Sequence, residues 1–205
     1  MTTERDDSPD LATGDLIFIG PPGVGKGTQA KALARANGWL HLSTGDLFRD
    51  HIRRQTDVGR RVKGILDAGA YVPDDLTVDM VRDRLATTPA DQRIVFDGFP
   101  RTAAQADALD DLLAERGRRV EAVLLLEAPR EELRARLEGR AKAEGRTDDT
   151  PEVIANRLDV YERETRPLVA HYEAKGLTRR IDGVGPVEAV TERLRDAADR
   201  HEVRS

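Results

Sequence analysis

The sequence predicts an α/β fold in which one parallel sheet of five strands is covered by helices on both faces. Short apolar runs alternate along the chain with segments of helical periodicity, and no two runs are joined by a hairpin turn. This alternation is typical of parallel sheets, because each strand needs a crossover before the next strand begins. The apolar runs predicted to be strands are residues 16–19, 39–42, 93–97, 122–126 and 177–181.

The predicted helices are delimited by capping and breaking residues. Gly38 ends the first helix, and Thr150 followed by Pro151 starts the long helix before the last strand. Pro167 lies inside that long helix and should kink it, because proline removes one backbone hydrogen bond. The most apolar run, residues 122–126, is expected to be a central strand. The predicted helices are residues 25–37, 45–55, 58–68, 73–86, 102–116, 129–137, 150–175 and the segment from 186 onward.

Two segments are predicted to lack regular structure. Residues 1–13 form an acidic tail that is expected to be disordered. Residues 139–149 are polar and charged and contain two glycines, which predicts a loop. Ligands of parallel sheets bind beyond the carboxyl ends of the strands, so we expect the loops after Ile19, Asp97 and Glu127 to converge on a site.

Composition and charge restrict the class of protein. The chain has 205 residues, a net charge of −5 and no cysteine. This balance argues against a nucleic-acid-binding role and excludes disulfides and cysteine-bound zinc. No apolar run approaches membrane-spanning length, and the acidic start is unlike a signal peptide, so a cytoplasmic location is expected. The histidines lack metal-ligand spacing and are expected at surface or boundary positions: His41, His51, His171 and His201.

A glycine-rich segment follows the first predicted strand. Residues 20–28 read Gly-Pro-Pro-Gly-Val-Gly-Lys-Gly-Thr, with Gly20 and Lys26 at the spacing of a Walker A phosphate loop. Glycines between a strand and a helix leave backbone N–H groups free to bind phosphate beside the positive helix end. Lys26 adds a mobile ammonium group and Thr28 a hydroxyl, although Gly27 stands where serine or threonine is usual. The segment predicts a phosphate-binding site.

Polar residues also follow the strand predicted at residues 93–97. Asp97 ends this strand beside the phosphate loop, where its carboxylate would hold magnesium through water; the alternative is that it only caps the turn at Gly98. Arg101 and Gln105 lie four residues apart at a helix start and therefore share one helix face. A guanidinium there can hold a phosphate, while an amide, both donor and acceptor, can bind the edge of a purine.

Four arginines flank the loop predicted at residues 139–149. Arg136 and Arg140 lie four residues apart on one helical face, Arg146 lies in the loop, and Arg157 lies in the following helix. Each alone is typical of a solvated surface charge. Together they form a group of guanidiniums, whose planar geometry suits phosphate.

Four motifs are distributed over nearly the whole chain from Asp15 onward. They read Gly20-Pro-Pro-Gly-Val-Gly-Lys-Gly-Thr-Gln29, Ser43-Thr-Gly-Asp-Leu-Phe-Arg49, Asp97-Gly-Phe-Pro-Arg101 with Gln105, and Gly145-Arg-Thr-Asp-Asp149 followed by Asn156-Arg157. In this order they resemble the adenylate kinase family. The resemblance implies a three-layer P-loop NTPase-like fold and reversible phosphoryl transfer from Mg-ATP to AMP, yielding two ADP. It implies Mg²⁺ as cofactor, ATP, AMP and ADP as small-molecule partners, and no nucleic-acid or membrane partner. We expect a monomer.

The resemblance also implies roles for individual residues. Asp97 would hold the metal through water, and the short, cysteine-free loop implies no zinc site. The implied ATP-binding residues are Gly23, Val24, Gly25, Lys26, Gly27, Thr28, Arg136, Arg140 and Gly185. The implied AMP-binding residues are Thr44, Arg49, Ala70, Tyr71, Val72, Gly98, Phe99, Pro100, Arg101, Gln105, Arg146 and Arg157. The implied catalytic residues are Lys26, Arg101, Arg136, Arg140, Arg146 and Arg157.

The implied domain organisation follows from the same motifs. One adenylate kinase domain would cover residues 14–205, with an AMP-binding segment at 43–72 and a lid at 139–149. The core would comprise residues 14–42, 73–138 and 150–205.

Two alternative functions remain open at this point. A pyrimidine monophosphate kinase could use the same scaffold, but Thr44, Thr102 and Gln105 favour adenine. A nucleotide-sensing switch without turnover is the other alternative. The combination of a phosphate loop with flanking arginines argues against it.

Overall fold

The fold is built on one parallel sheet, seen here in a computed structural model that describes residues 14–144 and 150–199. The five strands are β1 (Asp15–Ile19), β2 (Leu40–Ser43), β3 (Ile94–Asp97), β4 (Val120–Glu127) and β5 (Thr178–Asp182). They lie in the order β2-β3-β1-β4-β5, and every neighbouring pair is parallel. The predicted α/β class is confirmed. The apolar run at 122–126 lies in the interior strand β4, while β1 occupies the middle of the sheet.

Residues Leu16 to Ile19 of β1 are buried on both faces of the sheet, which explains why this run is continuously apolar rather than alternating. Ile17 and Ile19 pack into a hydrophobic cluster on one face of the sheet. Leu16 and Phe18 pack into a second cluster on the other face. Because successive side chains of a strand point to opposite faces, a strand between two helical layers has a nearly continuous run of apolar residues.

Helices cover both faces, and those before β4 begin and end close to the predicted positions. Gly38, in the left-handed conformation with φ of 69°, caps the first helix, as its position in the sequence predicts. No helix in the described part of the chain is both long and apolar enough to cross a membrane. The helices are α1 (Lys26–Asn37), α2 (Thr44–Arg53), α3 (Asp57–Asp67), α4 (Asp74–Ala86), α5 (Ala103–Ala114), α6 (Arg130–Glu144), α7 (Pro151–Val160), α8 (Arg166–Ala174) and α9 (Val187–Asp199).

The prediction of a loop at residues 139–149 is wrong in its first half, because α6 continues through Gly139 to Glu144. Leu137 is fully buried and anchors this helix on the core. The residues around the glycine are good helix formers, so the cost of one glycine, about 1 kcal/mol, does not end the helix. Residues 145–149 and the tail predicted at 1–13 lie outside the described residues.

The long helix predicted over residues 150–175 is interrupted. A π-helical turn at Tyr161–Thr165 separates α7 from α8, and Pro167 lies in the first turn of α8. Proline cannot donate a hydrogen bond to the preceding turn, and a π-helical turn accommodates the lost bond by widening the backbone. The kink predicted from Pro167 therefore corresponds to this interruption.

The segment between β2 and α4 forms a small unit with its own apolar contacts. Phe48, Val62 and Val72 are buried together, although they lie outside the two clusters that flank the sheet. Helix α2 begins directly after β2, where the Ser43 hydroxyl accepts a hydrogen bond from the Asp46 N–H at 3.3 Å. This unit forms one wall of the cavity described next.

Candidate active site

A cavity of about 450 Å³ opens beyond the carboxyl ends of β1 and β3. Its walls come from the ends of these strands, from the segment between β2 and α4, and from α7 with the following π-helical turn. Cationic side chains on these walls include Lys26, Arg101 and Arg157, and apolar ones include Phe48 and Val72. A cavity of this size and mixed character is typical of small-molecule sites.

The turn between β1 and α1 has the backbone conformation that a phosphate loop requires. Gly23 and Gly25 have φ values of 85° and 102°, which L side chains rarely adopt. A Cβ atom at Gly23 would lie 2.8 Å from the carbonyl oxygen of Leu133, so the turn packs against α6 only because this residue is glycine. Helix α1 begins at Lys26, and the positive end of its dipole therefore faces the turn.

The ammonium group of Lys26 folds back onto its own loop. Nζ donates hydrogen bonds to the carbonyl oxygens of Gly20 at 2.6 Å and Pro21 at 3.0 Å. These contacts hold the ammonium group against the first two residues of the turn. A phosphate entering the turn would compete with both carbonyl oxygens for the ammonium group.

The surroundings of Lys26 lower its pKa from the usual value to about 7. Shielding from solvent is the main cause, since it disfavours the charged ammonium form. The carboxylate of Asp97 opposes this shift, while three nearby guanidiniums reinforce it. Part of the Lys26 population is therefore uncharged near pH 7, and an anion bound beside it would favour the protonated form. The three arginines concerned are Arg101, Arg157 and Arg140.

Asp97 and His41 form a contact that sequence reasoning missed. The His41 Nε2 atom lies 3.3 Å from Oδ2 of Asp97, across the neighbouring strands β2 and β3. Burial alone would raise the pKa of the Asp97 carboxyl, but the hydrogen bond from His41 and the charge of Lys26 outweigh it, so the pKa is lowered. Asp97 is thus an ionised carboxylate beside the phosphate loop. His41 was expected at a surface or boundary position, and it is partly exposed in the structure.

The carbonyl oxygen of Gly98 fixes two side chains at the floor of the cavity. Thr44 donates to it from Oγ1 at 2.9 Å, and Arg101 donates to it from Nε at 2.8 Å. Gly98 has φ of 75°, and a Cβ there would lie 3.0 Å from the Arg101 guanidinium and 3.1 Å from the Thr44 hydroxyl. Glycine is therefore needed both for this backbone conformation and for the approach of the two side chains.

Tyr71 and Thr165 hold Arg101 from the opposite side. The guanidinium carbon of Arg101 lies 4.8 Å from the centre of the Tyr71 ring, in a cation–π arrangement. The Tyr71 hydroxyl lies 2.8 Å from Oγ1 of Thr165, which donates to the backbone carbonyl of Arg101 at 2.9 Å. The end of the π-helical turn thus positions a cation of the cavity.

Gln105 lines the same cavity and is 1% exposed. Its Oε1 atom accepts a hydrogen bond from the Arg101 N–H at 2.8 Å, and its Nε2 atom donates to Asp74 at 2.7 Å. The prediction of a shared helix face for Arg101 and Gln105 is wrong, because Arg101 precedes Thr102, the N-cap of α5. The two residues are joined instead through the backbone N–H of Arg101. The role of Asp74 was not predicted.

A separate contact joins α6 to the phosphate loop. Arg136 donates from Nη1 to the carbonyl oxygens of Gly183 at 3.0 Å and Val24 at 3.4 Å. Its Nε atom also donates to Glu132 at 2.9 Å. Arg136 thus lies against the outer side of the loop, between α6 and the residues after β5, rather than in the cavity.

Comparison with known proteins agrees with this geometry. Residues 18–177 match the family model described as Adenylate kinase. An adenylate kinase of Thermus thermophilus is 51% identical over 182 residues, which are 89% of this chain and 95% of the relative. The chain belongs to the adenylate kinase family. The expected family, fold and ATP:AMP phosphotransfer activity are thereby confirmed.

Other relatives give the same result. The adenylate kinase of Kocuria rhizophila is 48% identical over 185 residues, which cover 90% of this chain and 98% of the relative. That of Micrococcus luteus is 47% identical over 182 residues and covers 89% of each chain. The similarity therefore spans nearly the whole length of these enzymes and is not confined to the phosphate loop.

Most residues expected to bind AMP surround one cavity. Phe99 does not line it, because its side chain is fully buried in the core on one face of the sheet. Arg146 lies outside the described residues. Arg49 lines the cavity and also pairs with Asp46 at 2.5 Å. The expected residues that line the cavity are Thr44, Arg49, Ala70, Tyr71, Val72, Gly98, Pro100, Arg101, Gln105 and Arg157.

Of the residues expected to bind ATP, Lys26 lines the same cavity, and Arg136 contacts the phosphate loop at Val24. Gly185 has φ of 113° and follows β5, flanked by the exposed side chains of Val184 and Val187. Arg140 is close enough to Lys26 to influence its pKa. The expected residues in or directly after the turn are Gly23, Val24, Gly25, Lys26, Gly27 and Thr28.

Helix α7 contacts the segment between β2 and α4. Asn156 donates from Nδ2 to the carbonyl oxygen of Ala68 at 2.7 Å. A Cβ at Gly69 would lie 2.8 Å from Cγ of Arg157 and 3.0 Å from Cγ1 of Val153, so the two parts approach closely at a glycine. This contact brings Arg157 to the wall of the cavity.

Proposed function

We propose that this enzyme transfers the terminal phosphoryl group of Mg-ATP directly to AMP, in line and without a covalent intermediate, in a reversible reaction that maintains adenine nucleotide balance. The observation that carries the proposal is the convergence of Lys26, Arg101 and Gln105 on one cavity at the ends of β1 and β3. Lys26 and Arg101 can hold phosphates on either side of the transfer point. Gln105 can bind a base.

On the AMP side, the contacts support a division of roles. Arg101, held by the Gly98 carbonyl and the Tyr71 ring, presents its guanidinium to the AMP phosphate. Gln105 binds the adenine edge with its amide. Arg49 adds a further charge for the phosphate, and the backbone around Val72 contacts the base. Thr44, Ala70, Gly98 and Pro100 complete the proposed AMP site through their backbone or small side chains.

On the ATP side, the phosphate loop and the arginines of α6 act together. The backbone N–H groups of Gly23 to Thr28 cradle the β- and γ-phosphates, and Lys26 follows the γ-phosphoryl group. Arg136 packs against the adenine, near the exposed apolar side chains beside Gly185. Arg140 contacts the outer phosphates.

Transfer itself depends on charge and alignment. The transition state is loose, with negative charge spread over the equatorial oxygens of the migrating group, so fixed cations stabilise it and no side-chain base is needed. Lys26, Arg101 and Arg157 line one cavity, which supports a transfer point beside them. Arg146 and Arg157 would complete the ring of cations around the migrating group, with Arg136 and Arg140 on the donor side.

Asp97 would hold Mg²⁺ through water, beside the phosphates. Within residues 14–144 and 150–199, no group of three or more acidic, histidine or cysteine side chains is placed to bind a metal. Asp97 is ionised, and a Cβ at Gly27 would lie 3.4 Å from its Oδ2 atom, so the absent side chain leaves room between carboxylate and loop. One carboxylate suits an ion that keeps several waters. When bound, the ion would neutralise charge on the ATP phosphates.

The proposal also covers a lid, the oligomeric state and the cellular location of the enzyme. A lid over residues 139–149 and an AMP-binding segment over 43–72 would close on the core and exclude water as a competing acceptor. All the described residues of the proposed site come from one chain, so a monomer can supply them. We place the enzyme in the cytoplasm, where adenine nucleotides are produced and consumed.

Initial rates with different acceptors test this function. With ATP as donor, we expect AMP to be phosphorylated with a much higher kcat/KM than CMP or UMP. A preference for CMP or UMP would instead support a pyrimidine monophosphate kinase. Binding of ATP and AMP without turnover would support the nucleotide-sensing switch. Inversion of configuration at a chiral γ-phosphorus is the expected stereochemical result, and retention would indicate a covalent intermediate.

A further inference from the structure

The amide of Gln105 is held at both of its polar atoms. Oε1 accepts from the backbone N–H of Arg101 at 2.8 Å, and Nε2 donates to Oδ1 of Asp74 at 2.7 Å. An amide oxygen has two lone pairs and an amide nitrogen has two hydrogens. Each polar atom therefore keeps one further hydrogen-bonding position, and Gln105 lines the cavity where such a position can be used.

Asp74 lies behind Gln105 and is itself held in place. It is the first residue of α4, and its Oδ2 atom accepts a hydrogen bond from the Thr102 hydroxyl at 2.8 Å. Thr102 is the N-cap of α5, where its Oγ1 atom also accepts from the Gln105 N–H at 3.2 Å. Asp74 is not among the residues that line the cavity. An effect of its side chain on a bound nucleotide is therefore indirect, and Gln105 is a residue of the cavity wall that it contacts.

Rotating the Gln105 amide by 180° would be unfavourable at both contacts. The oxygen Oε1 would then face the Asp74 carboxylate. An ionised carboxylate can accept hydrogen bonds but cannot donate one. The Nε2 hydrogens would face the Arg101 N–H, which only donates. Because Gln105 is almost fully buried, the lost hydrogen bonds would not be replaced by water.

We propose that Asp74 is a positioning residue that fixes the orientation of the Gln105 amide and thereby makes the acceptor site select a 6-aminopurine over a 6-oxopurine. The inference rests on the proposed function, since it assumes that Gln105 binds the acceptor base. In the fixed orientation, Oε1 offers a lone pair and Nε2 offers a hydrogen to the base. The amino group of adenine donates to Oε1, and a neighbouring ring nitrogen accepts from Nε2.

A 6-oxopurine presents the opposite arrangement of hydrogen-bond donors and acceptors to the same amide. Its oxygen at position 6 would face the lone pairs of Oε1, and its N1–H would face the Nε2 hydrogen. Binding it would require either a rotated amide, which Asp74 opposes, or an unpaired buried polar group. IMP is the suitable probe, because it differs from AMP only at position 6 and in the proton on N1.

The test compares AMP and IMP as acceptors for the Asp74→Asn variant, with ATP as donor. Asparagine keeps the size of the side chain, but it can donate as well as accept, so the rotated Gln105 amide is no longer opposed at this contact. We expect the ratio of kcat/KM for AMP to that for IMP to fall about tenfold, the scale of one hydrogen bond to a charged group. The KM for ATP should stay unchanged.

Asp75→Asn is the matched control. Asp75 is exposed in the same first turn of α4, so its substitution removes the same charge from the same helix end. This variant should keep the wild-type ratio. The ratio of kcat/KM for AMP to that for IMP does not depend on the fraction of folded enzyme, because both acceptors are measured on one preparation. An unchanged ratio in Asp74→Asn would overturn the proposal.

Two further variants separate the possible failures. Gln105→Ala should abolish the preference for AMP over IMP. If Gln105→Ala keeps the preference for AMP, Gln105 does not bind the base and the proposed AMP site is contradicted. If Gln105→Ala loses the preference while Asp74→Asn keeps the wild-type ratio, only the role of Asp74 is contradicted. Asp74→Ala should lower the ratio as Asp74→Asn does. If neither Asp74 variant folds while Asp75→Asn does, Asp74 is structural and the proposal is overturned.

Discussion

The hydroxyl of Tyr71 lies 2.8 Å from Oγ1 of Thr165, which is 94 residues further along the chain. Thr165 uses its own proton to donate to the carbonyl oxygen of Arg101 at 2.9 Å, so Tyr71 is the donor in this contact. The Tyr71 ring also stacks on the Arg101 guanidinium. Three segments distant in sequence therefore determine the position of one cation that faces the cavity.

Tyr71→Phe should weaken AMP binding while sparing ATP. The variant keeps the ring against Arg101 but removes the hydrogen bond to Thr165, which is worth about 1 kcal/mol. We expect the KM for AMP to rise about threefold to tenfold, with the KM for ATP unchanged, in steady-state assays. An equal rise for both nucleotides would show that the hydroxyl supports the whole fold rather than Arg101.

Tyr172→Phe removes a tyrosine hydroxyl whose surroundings differ from those of the Tyr71 hydroxyl, and it gives a prediction for stability. The Tyr172 side chain is fully buried, and its hydroxyl has no hydrogen-bond partner among the described residues. Removing an unpaired buried hydroxyl should leave the free energy of unfolding unchanged or raise it by about 1 kcal/mol. Urea unfolding measures this change. A loss of more than about 1 kcal/mol would indicate that the hydroxyl has a partner.

Lys26 should take up a proton when ATP binds above pH 7. Its pKa of about 7 leaves it mostly neutral at pH 8, and a bound phosphate raises the pKa again because it favours the charged form. We expect the proton uptake contributed by Lys26 to be larger at pH 8 than at pH 6, because the side chain is less protonated before ATP binds at the higher pH. Calorimetry in buffers of different ionisation enthalpy measures this uptake.

Lys26→Arg is the control for the proton measurement. Arginine stays charged at both pH values, so this contribution should disappear, while protonation of ATP itself contributes equally to both proteins. Equal uptake by the wild type and by Lys26→Arg at pH 8 would mean that Lys26 is already charged before ATP binds.

Arg101→Ala should raise the KM for AMP far more than the KM for ATP. The guanidinium is fixed on the acceptor side by Gly98 and Tyr71, and charge-assisted hydrogen bonds to a phosphate would be lost. We expect kcat/KM for AMP to fall about tenfold to a hundredfold. Arg82→Ala, which removes an exposed arginine of α4, should have no effect. A larger effect on ATP than on AMP would place Arg101 on the donor side.

The parts of the fold that the sequence predicted are those set by local pattern. The strands follow from short apolar runs, the phosphate loop from Gly20 to Lys26, and the end of α1 from Gly38. Each of these features depends on residues adjacent in the chain. The extension of α6 past Gly139 was missed because helix packing outweighed the preference of one glycine.

Contacts between distant segments could not be predicted in this way. The pairing of His41 with Asp97 depends on β2 lying next to β3, a neighbour relation that the sequence does not specify. Asp74 was interpreted only as part of a helix start, yet it contacts Gln105 across 31 residues. Strand order decides such contacts, and it is determined by the packing of the whole sheet.

The most direct test is a crystal structure with a bisubstrate analogue, two adenosines joined by five phosphates. We expect Lys26 to leave the carbonyl oxygens of Gly20 and Pro21 and to contact the phosphates, together with the guanidiniums of Arg101 and Arg157. One adenine should lie against Gln105. If Lys26 stayed on its own loop and both arginines pointed into solvent, the proposed transfer site would be contradicted.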